Sequence, residues 1–141
     1  MARNNLSFKL KNNISELDKL GRKLSTFGNK IGLSKKCIFQ INLALDELFT
    51  NIVSYGFPDE SPQWISVALS HVNGKIRVEM EDTGIPFDPA SAETPDPITE
   101  IENCKVGGLG LHLVKKIMDE ITYQRCDEKN ITTLVKNISD C

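Results

Sequence analysis

The sequence predicts an α+β fold, a two-layer sandwich in which about three helices cover one face of a mostly antiparallel sheet. Two observations set the element types: several short segments alternate apolar and polar residues, and three longer ones repeat apolar residues every three or four positions. A third sets the architecture. The order strand, helix, helix, strand, strand, loop, helix, strand, strand groups like with like, which suits helices on one face of a sheet.

Residues 5–11, "NLSFKLK", alternate through Leu6, Phe8 and Leu10 and read as the first strand. The first helix follows, with Ser15 as its candidate N-cap, Leu17, Leu20, Leu24 and Phe27 as its stripe, and Gly28 and Gly32 marking its end. A longer helix begins after Ser34. Its stripe is Ile38, Ile41, Leu45, Leu48 and Ile52, and it stops at the breaker cluster "SYGFPDESP". A hairpin comes next: Ile65, Val67 and Leu69 alternate, Asn73-Gly74 makes a two-residue turn, and Ile76, Val78 and Met80 return. Residues 83–106 hold five acidic residues and four of the six prolines, so they read as a long loop, of a length found in functional lids. A third helix is expected from about Gly108 to Glu120, carrying Leu111, Leu113, Val114, Ile117 and Met118. The strands "ITYQRC" and "NITTLVKNI" close the chain around a turn at Asp127 to Lys129.

A length of 141 residues fits one domain over 1–141 with a real core. Hydrophobic residues at 40% and charged residues at 26% indicate a soluble globular chain. The formal charge of −2 and the lack of a Lys/Arg block give no electrostatic case for nucleic acid. No apolar run approaches the roughly 18 to 20 residues of a membrane span, and "MARNNLSFKLKNN" lacks a signal-peptide core. Both point to a cytoplasmic protein. Cys37, Cys104, Cys126 and Cys141 form no C-x-x-C pair, which argues against zinc and for reduced thiols.

Three stretches could carry chemistry. In "LALDELFTNIVSYGF", Glu47 and Asn51 are four apart and share one helix face beside the apolar stripe. That suits either a polar flank or a site at the edge of the core. In "RVEMEDTGIPFDP", Asp82 continues the inward series Ile76, Val78, Met80. Burying a carboxylate without a donor costs several kcal/mol, so Asp82 either bonds the amides of "TGI" in an Asx turn or meets a ligand. Gly84 suits a positive φ or a close backbone approach. In "KVGGLGLHLVKK", Gly107, Gly108 and Gly110 lead into a helix whose free amides and dipole suit phosphate. They match neither common phosphate-loop pattern and serve equally well as a conformational device.

In order and context, "DELFTNIVSYGF", "EDTGIPFDP" and "VGGLGLHLVKKIMDEITYQR" resemble the N, G1 and G2 boxes of the GHKL (Bergerat-fold) ATPases and kinases. The chain most resembles the branch of anti-sigma-factor serine/threonine protein kinases, over about residues 5–139. The resemblance implies ATP and Mg²⁺ as cofactors. Asp82 would accept a hydrogen bond from the adenine 6-amino group, and Gly84 would let the base approach. Asn51 would ligate Mg²⁺, and Glu47 would be the general base. The amides of Gly108, Leu109, Gly110 and Leu111 would meet the phosphates. Thr133 would lie near the adenine, with Thr132 as the alternative. Lys105 is the one cation of the lid "ASAETPDPITEIENCKVGG", which contains no arginine, and would reach the phosphates. Tyr55 stands where many relatives have histidine and receives no role.

The function implied is transfer of the γ-phosphoryl group to a serine or threonine of an anti-sigma-factor antagonist, a STAS-domain protein. Sequestration of a sigma factor and a homodimer built through the first strand and helix would go with it. The rival is a nucleotide-gated binding module of the same fold that does no chemistry. The intact Glu47 argues against it, since a pure binder needs no base.

Overall fold

The computed structural model describes residues 4–86 and 106–141, with 106–111 described by backbone alone. Its elements run β1 (Asn4–Lys11), α1 (Leu17–Lys30), α2 (Lys35–Gly56), β2 (Trp64–Val72), β3 (Lys75–Asp82), α3 (Val106–Ile117), β4 (Glu120–Cys126) and β5 (Lys129–Asn137). The strands form one sheet in the order β1-β2-β3-β5-β4, with every neighbouring pair antiparallel. This is the expected α+β architecture.

Period-2 patterning decides which face of the sheet is covered. Along β3, Ile76, Val78, Met80 and Asp82 are buried, while Lys75 and Arg77 on the alternate positions are exposed. The buried face packs with Leu20, Leu24 and Phe27 of α1, Ile41, Leu45, Leu48 and Phe49 of α2, and Val114 of α3 in one core. Asn73 and Gly74 both take positive φ, 53° and 74°, the conformation a two-residue hairpin turn needs. The β4–β5 turn does the same with Asp127 and Glu128, at 49° and 65°, where neither residue is glycine.

Several local expectations change. Ser15 does not cap α1: a 3-10 turn, Ile14–Glu16, precedes that helix, and the Asn13 side chain accepts the Ser15 amide at 2.9 Å. Gly28 does not end α1. A Cβ there would lie 2.7 Å from Ile38 Cγ1, so its bare backbone lets α1 and α2 approach. Gly32, at φ +81°, is the glycine that follows the helix end. Ser34 does cap α2, accepting the Cys37 amide at 3.0 Å.

α3 stops at Ile117, short of the expected Glu120. The buried Lys136 donates its Nζ to the Ile117 carbonyl at 2.8 Å and closes the helix, and the Asp119 amide already bonds Val135 on β5. The thiols differ as well: Cys37 and Cys141 form a disulfide, with Cα atoms 4.9 Å apart. Most of the expected loop at 83–106 lies outside the described residues.

Candidate functional site

A cleft opens between the C-terminal half of α2 and the ends of β3 and β5. Leu48, Asn51, Ile52, Tyr55 and Gly56 line it from α2, Asp82 and Ile85 from the end of β3 and beyond, and Asn130 and Thr132 from β5. Asn51 and Asp82, 31 positions apart by their numbers, therefore face one space.

Asn51 is buried within a largely apolar helix face because its amide is half-satisfied locally. Its Nδ2 donates to the Glu47 carbonyl one turn back, at 2.7 Å. Its Oδ1 is buried and has no hydrogen-bond partner among the described residues. A buried acceptor left this way costs about 1–3 kcal/mol, and a ligand that bonds it recovers the loss. Glu47 is half-buried on the same side of α2, one turn before Asn51, and does not line the cleft. Burial, and then the neighbouring Glu47 charge, push the Asp46 carboxyl above its usual value.

Asp82 is 4% exposed, as the inward parity of β3 requires. One of its oxygens, Oδ1, accepts the Gly84 amide and the Asn130 Nδ2, both at 2.9 Å. The Asx turn read from the sequence is thus present, and it uses only one oxygen. Desolvation by burial raises the Asp82 pKa, against the opposing pull of the Asn130 and Gly84 hydrogen bonds and the Arg125 charge. Gly84 is needed for a close approach, and the neighbour is backbone: a Cβ there would lie 2.6 Å from the Gly56 carbonyl oxygen. The Ile85 amide bonds that same oxygen at 2.8 Å. This contact pins the segment after β3 to the end of α2.

Two expectations about residues near the cleft are corrected. Thr133 pairs with Glu79 and sits on the other face of β5, while Thr132, paired with Met80, is buried and lines the cleft. Parity along β5 decides between them, since Asn130, Thr132 and Leu134 share the buried face. The glycine-rich entry is also shifted. α3 begins at Val106, so within the helix the amides without a partner in its own ladder run only to 108. Gly108 belongs to that set, whereas the amides of Leu109, Gly110 and Leu111 fall in the helix's own ladder. Lys105 lies outside the described residues.

The sequence reading missed Asn130, Arg125 and Tyr123. Arg125 Nη1 reaches the Gly84 carbonyl at 2.8 Å and Asn130 Oδ1 at 3.1 Å, and the Tyr123 hydroxyl also donates to Asn130 Oδ1. Tyr55, left without a role, stands in the cleft wall.

A model of the histidine kinase-like ATPase domain matches residues 10–136. The chain belongs to that family. The serine/threonine-protein kinase BtrW of Bordetella bronchiseptica is 31% identical over 104 residues, which are 74% of this chain and 73% of BtrW. The serine-protein kinase RsbW of Listeria monocytogenes is 31% identical over 107 residues, 72% of this chain and 68% of that one. The fold is shared with the crystal structure of the RsbU and RsbW domains of a Mycobacterium tuberculosis protein, at a TM-score of 0.65 and 18% identity. That match covers 95% of this chain, which spans 32% of the solved one.

The resemblance to GHKL ATPases and kinases read from the N, G1 and G2 boxes is therefore correct. Membership of this family implies ATP binding and, generally, Mg²⁺. The residues present fit the metal: the orphaned Asn51 Oδ1 is a neutral hard oxygen of the kind Mg²⁺ takes when phosphates and water supply its other ligands. No helix among the described residues is long and apolar enough to cross a membrane.

Proposed function

We propose that this chain is an ATP-dependent serine/threonine protein kinase of the anti-sigma-factor type. Its substrate would be an anti-sigma-factor antagonist with a STAS domain, and it would also sequester a sigma factor. One observation carries the reading. Asn51 and Asp82, on separate elements, line one cleft, and each keeps an acceptor, Asn51 Oδ1 and the second carboxylate oxygen, with no hydrogen bond among the described residues. The kinase names of BtrW and RsbW support the activity class.

In this reading each residue acts through groups that geometry or sequence supplies. Asp82 accepts a hydrogen bond from the adenine 6-amino group, beside Thr132. Asn51 Oδ1 holds Mg²⁺, which when bound offsets charge on the phosphates. The amide of Gly108, at the positive end of α3, meets the phosphates, and Lys105 adds a cation on sequence grounds alone. Glu47 takes the proton of the acceptor hydroxyl. The hydroxyl oxygen then bonds the γ-phosphorus as the bond to the ADP oxygen breaks. Holding these groups in line, with charge offset, is most of what phosphoryl transfer asks of a protein.

Labelled ATP incubated with the chain and a STAS-domain antagonist encoded beside it tests the proposal. The expected result is label on a serine or threonine of the antagonist. Nucleotide binding with no label on any such antagonist would instead support the non-catalytic binding module.

A further inference from the structure

Asn130 is buried where β5 begins, opposite Asp82 in the strand register. Its Nδ2 donates to Asp82 Oδ1 (2.9 Å), to the Gly84 carbonyl (3.1 Å) and to the Ile85 carbonyl (2.9 Å). Its Oδ1 accepts from Arg125 Nη1 at 3.1 Å and from the Tyr123 hydroxyl.

This arrangement allows one orientation of the amide. A guanidinium can only donate, so the Asn130 oxygen must face Arg125. Backbone carbonyls can only accept, so the Asn130 nitrogen must face Gly84 and Ile85, and it meets Asp82 on the same side. The donors of Asn130 and Gly84 then occupy one carboxylate oxygen and leave the other as a pure acceptor. Arg125 also bonds the Gly84 carbonyl directly at 2.8 Å, so one network holds both the carboxylate and the backbone behind it.

We infer that Asn130, backed by Arg125 and Tyr123, is a positioning residue for purine recognition: it fixes the Asp82 carboxylate so that one oxygen meets the base, and it ties the segment 84–85 to the β4–β5 hairpin. The inference rests on the reading of Asp82 as the adenine acceptor. A structural tie for segment 84–85 accounts for the bonds to the Gly84 and Ile85 carbonyls, but not for the donor placed on the Asp82 carboxylate. The network instead directs donors at the one buried carboxylate among the described residues that lines the cleft.

A double-mutant cycle tests it. Calorimetric binding of Mg-ADP is measured for the full chain, N130A, D82N and D82N/N130A, with R125Q as a variant of an exposed residue that keeps the core intact. N130A should weaken binding about tenfold, as loss of a hydrogen bond to a charged group does, and R125Q should weaken it about threefold by removing one support of that bond. If Asn130 acts through the Asp82 carboxylate, the double variant binds within about twofold of D82N alone, the scatter expected of additive measurements. In the phosphotransfer assay N130A should raise KM for ATP by more than it lowers kcat.

Losses that multiply in the double variant, or N130A binding like the parent, overturn the inference while the adenine reading stands. Should N130A fail to fold, R125Q decides, and unchanged affinity there overturns the inference. Unchanged affinity in D82N overturns the adenine reading itself and the inference with it.

Discussion

Replacing Asp82 by asparagine keeps the shape of the side chain and changes one oxygen into a donor. In the folded chain Oδ1 accepts the Gly84 amide and Asn130 Nδ2, each at 2.9 Å. An asparagine keeps its oxygen on those two donors, so its NH₂ points into the cleft. The adenine amino group then meets a donor where it had a charged acceptor. A hydrogen bond to a charged group contributes roughly 1.5–3 kcal/mol, so Mg-ADP should bind about 10- to 150-fold more weakly. Stability should move the other way. Burial raises the Asp82 pKa above its ordinary 3.8, so the folded chain holds that proton more tightly than the unfolded chain does. Stability from this group is therefore complete below about 3.8 and declines as pH rises through the raised folded value. D82N removes that penalty, so at pH 7 its melting temperature without nucleotide should exceed the parent's, with the gap closing as pH falls. Calorimetry and thermal melts from pH 4 to 8 read both effects. Unchanged Mg-ADP affinity, or a variant less stable than the parent at pH 7, would refute the reasoning.

Three further substitutions probe other parts of the site. E47Q should retain Mg-ADP affinity yet slow phosphotransfer by about 10²–10⁴, the contribution of a general base, and transfer at the parental rate would assign the base elsewhere. N51A should remove the gain in ADP affinity that Mg²⁺ confers while sparing metal-free binding, as titrations with and without EDTA would report. G84A places a Cβ 2.6 Å from the Gly56 carbonyl oxygen and should cost about 1–3 kcal/mol in denaturant unfolding. The control G56A, whose Cβ meets nothing closer than 3.8 Å, should cost less than G84A.

The sequence made the fold legible because its apolar periods are clean. The stripe through Ile41, Leu45 and Leu48 and the alternation Ile76, Val78, Met80 each admit one element type, and both lie in the core. The same parity foretold that Asp82 turns inward. β5 was harder to read: Ile131 and Val135 are apolar on the outer face, so the run "NITTLVKNI" shows no clean alternation, and the choice between Thr132 and Thr133 needed the pairing with β3. Asn130 and Arg125 were illegible because their meaning lies in partners 48 and 41 residues away. Gly84 reads as either a positive φ or a close approach, and the neighbour that decides between them, Gly56, belongs to another element that no local pattern names. The Cys37–Cys141 bond spans 104 residues, and no spacing rule reaches that far.

A crystal structure of the chain with Mg-ADP tests the central claim most directly. The account predicts the adenine amino group within hydrogen-bonding distance of the free Asp82 oxygen and the metal on Asn51 Oδ1, both in the cleft between α2 and the sheet. Nucleotide bound elsewhere, or a base held in that cleft without contact to Asp82, would contradict it.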